Sequence, residues 1–246
     1  MTFDTDQTVR EIAFGYPATV KVFESLGIDY CCGGKRPLKE ACQRAGVSLE
    51  RAVELLSSVE REASASEEDG WTDRPLRDLT AHIVARHHAF IREEAPRLEN
   101  LLAKVVGRHG QAHPELRSIQ ETFAALAQEL AAHMMKEERI LFPVFDSMEA
   151  RPPHGAVGAC FGSVEFPIAR MLADHDDAGV LTARIRELTA DFVVPDDACP
   201  SYRGLYDGLA GFERDLHRHI HLENNILFPR AIEMEKQLAG ADHVGR

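Results

Sequence analysis

Apolar residues in the later two thirds of the chain recur at the 3.6-residue period of a helix face. Beginning at Ile119, one stripe runs through Phe123, Leu126, Leu130, His133, Glu137, Ile140 and Val144. A second runs through Leu205, Leu209, Phe212, Leu216, His219, Glu223 and Ile226. Two more segments carry Val84, His88, Ile91, Ala95 and Leu98, and Val164, Ile168, Met171, His175, Ala178 and Ile185. The other face of the first segment, with Ile83, His87, Phe90 and Glu94, is less apolar, which favours His88 over His87 as the inward residue. No strand-like alternation of useful length interrupts these patterns, so the expectation is all-α: a four-helix bundle over residues 74–246.

Ahead of the bundle, proline, serine and glycine punctuate short helices that begin near Pro17, Pro37 and Ser48, the first two closing at Gly27 and Gly46. Residues 1–62 read as a small helical domain. The small, polar, acidic stretch around EASASEEDG makes 63–73 the linker.

The bundle pattern repeats within itself. Each half supplies a lone inward histidine, His88 or His175, followed at nearly the same distance by a His-x-x-x-Glu pair, His133/Glu137 or His219/Glu223. Both pairs are followed by Ile-Leu-Phe-Pro, in which Ile and Leu are expected to pack the core and Pro to bend or end the helix. The bundle is thus a tandem duplication of a helix pair.

Four imidazoles and two carboxylates on core stripes would be costly to bury unpaired. A pair of metal ions compensates that cost. Imidazole nitrogen and carboxylate oxygen suit Fe, Mn or Zn, and a carboxylate can bridge two ions. His133, Glu137, His219 and Glu223, with His88 and His175, are therefore the candidate ligands. The remaining histidines, His82, His87, His109, His113, His154, His217, His221 and His243, are expected at the surface or behind the ligands.

Composition narrows the function. A net charge of −12 leaves no basic stripe for nucleic acid. No stretch reaches the ~18 apolar residues of a membrane span. The opening MTFDTDQTVR has neither a basic nor an apolar leader region, so the expected location is cytoplasmic, with no membrane partner. Five cysteines, an odd number, point to thiol or metal chemistry over a disulfide scaffold. Cys31 and Cys32 precede two glycines and sit beside Lys35 and Arg36, which favour the reactive thiolate. Cys42 is expected to be buried in a helix; Cys160 and Cys199 fall in loops and carry no assignment.

The motifs HxxxREE at His88, HxxxEExILFP at His133, GSVEFPIxxMxxxHDxAG from Gly162 to Gly179 and HxxLENNILFP at His219 resemble the hemerythrin-like domain of the iron-sulfur cluster repair di-iron proteins, the RIC family. IDYCCGG resembles the short domain that precedes the bundle there. Two positions depart from the pattern: Asp174 stands where glutamate is common, and His87 where an aromatic is frequent. The resemblance implies two iron ions per chain, oxo- or hydroxo-bridged, with His88, His133, His175 and His219 as terminal ligands and Glu137 and Glu223 as bridges. It implies repair of iron-sulfur clusters damaged by nitrosative or oxidative stress, by donated or mobilised iron. Cys31 and Cys32 would then receive iron, reduce the centre or dock the recipient. The partners implied are proteins with damaged clusters, with nitric oxide or oxygen as small ligands, and nitric oxide reduction is another chemistry proposed for such a centre. A homodimer is compatible with this reading. The competing reading is a hemerythrin-like module that binds oxygen or nitric oxide reversibly, for which a separate cysteine-bearing domain has no evident use.

Overall fold

The computed structural model describes residues 4–16, 19–30, 34–62, 71, 73–150 and 162–244. Among these the regular structure is helical, with one isolated bridge between Thr8 and Pro37. Four short helices come first: α1 (Val9–Gly15), α2 (Val20–Ser25), α3 (Leu38–Arg44) and α4 (Leu49–Glu62). Gly27 and Gly46 close α2 and α3 with φ of 65° and 67°, a conformation that glycine adopts without strain. There the N–H groups of Ile28 and Val47 reach back to the carbonyls of Phe23 and Cys42. Helix α1 was not among the expected helices, although Thr8 and Glu11 form a capping box at its start. Pro17 and most of the linker 63–73 lie outside the described residues.

The bundle consists of four rods. The first joins α5 (Leu76–Ile83) to α6 (Ala89–His109), the second α7 (Glu115–Lys136) to α8 (Phe142–Glu149), and the third is α9 (Glu165–Leu188). The fourth joins α10 (Pro200–Leu222) to α11 (Phe228–Val244). Helix α7 packs against α6 and α9, and α10 against α6. The loop after α9 holds three consecutive non-glycine residues at positive φ, Ala190, Asp191 and Phe192 (49°, 60° and 59°). Arg186 braces it by bonding both Asp191 and Glu213 and lying 5.3 Å from the centre of the Phe192 ring.

The junctions inside three rods are single π-helical turns, Val84–His88, Glu137–Leu141 and Glu223–Leu227. A π turn takes in one extra residue, so the apolar stripe steps round by one position as it passes. This corrects one expectation: Ile140, placed on the core stripe by period, is 50% exposed, while Leu141 is 2% exposed and packs inward. The prolines mark the same junctions. Pro143 and Pro229 each lack an N–H, and the preceding Phe142 and Phe228 donate five residues back, to the carbonyls of Glu137 and Glu223. The rods therefore change helix type at these prolines and do not end there.

Two apolar clusters fill the bundle. One joins the N-terminal helices to α6, α7, α9 and α10; the other gathers Trp71, α5, α8, α11 and the start of α9. Between them lies a polar layer, positioned by the π turns. Among the described residues no helix is long and apolar enough to cross a membrane.

Candidate metal centre

All six candidate ligands are buried and meet in the polar layer. Their atoms form two overlapping quartets, His88, Glu137, His219, Glu223 and His133, Glu137, His175, Glu223, with the chosen atoms of each within 4.8 Å of one another. Both carboxylates belong to both quartets. Two imidazole nitrogens face each other in each: His88 Nε2 and His219 Nε2 at 3.2 Å, His133 Nε2 and His175 Nε2 at 3.0 Å. Around them His133 Nε2 lies 3.2 Å from Glu137 Oε1, His175 Nε2 3.1 Å from Glu223 Oε2, and His219 Nε2 3.0 Å from Glu223 Oε1. Both Glu137 oxygens and Glu223 Oε2 are buried without a well-formed hydrogen bond. Converging lone pairs and orphaned buried oxygens are unstable by themselves, and a bound cation satisfies them.

The rings of His87 and His88 point different ways. His88 enters a quartet. His87 bonds Asp215 Oδ2 through Nδ1 at 3.0 Å and lies parallel to the His219 ring, 5.7 Å between centres. His87 thus supports a neighbouring ring from behind. His221 is likewise buried, with Asn225 Nδ2 donating to its Nδ1 at 2.6 Å. His154 lies outside the described residues.

A second layer fixes how the rings are turned. His88 Nδ1 meets Glu138 Oε1 at 2.6 Å, and Arg92 donates to the same oxygen. His133 Nδ1 lies 3.4 Å from Asp174 Oδ2, a carboxylate also held by Lys136 and Arg170. His175 Nδ1 donates to Asn224 Oδ1 at 2.8 Å, whereas His219 Nδ1 is buried without a hydrogen bond. An Nδ1–H given to an oxygen leaves Nε2 with its lone pair free for a metal. Glu138, Asn224 and Arg92 were not singled out by the sequence reading. Glu138 and Asn224 each directly follow a glutamate of the repeat, the one signal that could have found them.

Charge balance in the metal-free layer points the same way. Burial works against a charged His133, yet the Glu137 carboxylate prevails and raises it to about 9. Burial opposes a charged His88 as well, and hydrogen bonding to Glu137 raises it. Burial keeps His219 neutral by lowering its value. For Glu223 burial disfavours the anion, but the close contacts with His219 and His175 hold it well below the usual carboxylate range. The layer thus prefers ionised carboxylates balanced by cations, and a metal takes the place of protons.

Cys31 and Cys32 lie outside the described residues, as does Cys160. Cys42 is buried as expected, and burial raises its thiol. Cys199 is half-buried at the start of α10, where the backbone N–H of Tyr202 lowers its thiol, with His109 Nε2 3.2 Å from the sulfur.

A helical bundle with paired His/Glu quartets at its core is a cation-binding bundle of the hemerythrin type. The family model described as the hemerythrin HHE cation binding domain matches residues 79–231, and one for a domain of unknown function (DUF542) matches residues 5–60. An iron-sulfur cluster repair protein YtfE of Pectobacterium carotovorum subsp. carotovorum (strain PC1) is 38% identical over 231 residues, covering 94% of this chain and 98% of the relative. The protein of the same name in Yersinia pseudotuberculosis serotype IB (strain PB1/+) is 34% identical over 230 residues, with the same coverage of 94% and 98%. The chain belongs to the hemerythrin HHE cation-binding family, alongside members named as iron-sulfur cluster repair proteins.

Proposed function

We propose that the chain is a di-iron protein that supplies or mobilises iron for the repair of iron-sulfur clusters damaged by nitrosative or oxidative stress. His88 and His219 would hold one ion and His133 and His175 the other, with Glu137 and Glu223 shared between them. The observation that supports this most is the pair of buried quartets with orphaned carboxylate oxygens. An iron pair held there would supply redox chemistry and a position for a small ligand. The protein's own residues do the rest. The Nε2 lone pairs, on rings that for His88, His133 and His175 are oriented through Nδ1, would form bonds that protons can displace, so the iron would be releasable.

Recipient proteins would meet the chain through Cys31 and Cys32. Asp29, Lys35 and Arg36, close to them in sequence, border with Arg44 and Asp176 an open cleft of about 670 Å³ between the N-terminal helices and α9. The proposed location is the cytoplasm.

Metal content and visible absorption of freshly purified protein test the reading. Two irons per chain with charge-transfer bands support it. Failure to bind metal even after anaerobic reconstitution with ferrous iron overturns it. Replacing Cys31 and Cys32 by Ala is expected to leave metal content intact and abolish cluster repair; full repair by that variant removes the cysteines from the account.

A further inference from the structure

Resting on the reading of the two quartets as metal sites, we propose that Arg10 is a positioning residue for the centre. Through Asn224 it holds the imidazole of His175, and so sets how tightly the ion between His133 and His175 is kept. The proposal starts from a gap in the backbone. The carbonyl of Asn224 would accept from Phe228 in an α-helix or from residue 229 in a π-helix. Phe228 N–H is given to Glu223, and residue 229 is proline. Asn224 is buried, so its carbonyl needs another donor.

Arg10, on α1, is that donor. Its Nη2 gives a hydrogen bond to the Asn224 carbonyl at 2.5 Å and its Nε one to Asn225 Oδ1 at 2.7 Å. The Asn225 amide is fixed in turn by His221, whose ring lies edge-on to Tyr30 with 5.5 Å between centres. The guanidinium fork therefore clamps both asparagines at once. The side chain of Asn224, whose backbone carbonyl is held in this way, accepts from His175 Nδ1.

The path also runs outward. Arg10 N–H donates to the carbonyl of Gly34, two residues after Cys32 in the sequence, at 2.8 Å. Hydrogen bonds and one residue's covalent frame thus link Gly34 to a candidate ligand. The other helix pair is anchored differently. Glu138, which corresponds to Asn224, is held by Arg92 from within the bundle. An input from the N-terminal helices through this path reaches one ion of the two.

The test uses the full chain loaded anaerobically with ferrous iron and then challenged with a bipyridine chelator. Arg10→Ala is expected to speed release of one ion about tenfold, the scale of losing an outer partner of a ligand, and to leave the other ion unchanged. Arg218→Ala, which cuts the separate contact from the bundle to Glu24, is expected to leave both phases unchanged. Arg10→Lys, which can still reach the Asn224 carbonyl, is expected to restore most of the slow phase and serves if the alanine variant does not fold. In the zinc-loaded chain the Nδ1 proton of His175 should exchange faster with water in Arg10→Ala than in the parent. Equal acceleration of both ions, no acceleration, or the same biphasic release from Arg218→Ala overturns the proposal while leaving the centre itself in place. A parent chain that binds no iron overturns both.

Discussion

The two copies of Glu-x-x-Ile-Leu-Phe-Pro adopt the same backbone and meet different surroundings. In the first π turn only Glu137 and Leu141 are buried; in the second all five residues, Glu223 to Leu227, are. Ile140 is 50% exposed, and its counterpart Ile226 is 4% exposed. The cause lies outside the repeat, because the second turn packs against α1 and α5. The outer partners have diverged accordingly. The histidines of the first helix pair rest on carboxylates, Glu138 and Asp174, themselves held by Arg92, Lys136 and Arg170. Those of the second rest on a neutral amide or on no hydrogen bond at Nδ1. The lesson is that the ring of candidate ligands tolerates little change, while the layer behind it is free to specialise.

The strongest way to break this comparison is to remove a shared carboxylate. On the proposed reading Glu137→Gln and Glu223→Gln should each empty both metal positions, because both carboxylates belong to both quartets; elemental analysis that finds one ion retained in either variant would show the sharing to be wrong. Next comes the covering of the second turn. Ile226→Ala is expected to cost about 2–4 kcal/mol in urea unfolding of the metal-free chain, and Ile140→Ala to stay within about 0.5 kcal/mol. Equal losses would mean that the two turns are equally covered.

Exchanging the outer partners sharpens the contrast further. Glu138→Gln should weaken retention of the ion between His88 and His219 by about tenfold, and Asn224→Asp should strengthen that of the other ion by a smaller factor. Chelator competition reads both. The smallest effect is expected far from either turn, at His113. Its bond to Asp197 at 3.0 Å, with a further one to Glu115, overcomes burial and raises it above its ordinary value. Stability from this group is complete below about pH 6.5 and fades as pH rises through the folded-state value. His113→Ala should flatten that portion of the stability profile and leave metal retention unchanged.

Much of this architecture is legible in the sequence. The 3.6 period exposed the four rods, and six polar residues inside apolar stripes marked the layer that the structure assembles. What period could not convey was the π turn, since one inserted residue exchanges Ile140 for Leu141 at the core without altering composition. The prolines were visible, but read alone they suggested an end to the helix. Helix α1 was missed although Thr8 and Glu11 announced it. Arg10 gave no signal, because its role depends on a carbonyl that a proline 219 residues later leaves without a donor.

Each quartet takes one imidazole and one carboxylate from each helix pair. A lone pair of helices therefore owns half of everything and a complete site of nothing. Two identical pairs facing each other across a twofold axis would make the same centre, which is the geometry of a homodimer. In a single chain the two faces need not be identical. One can be covered by an additional domain while the other stays open to solvent.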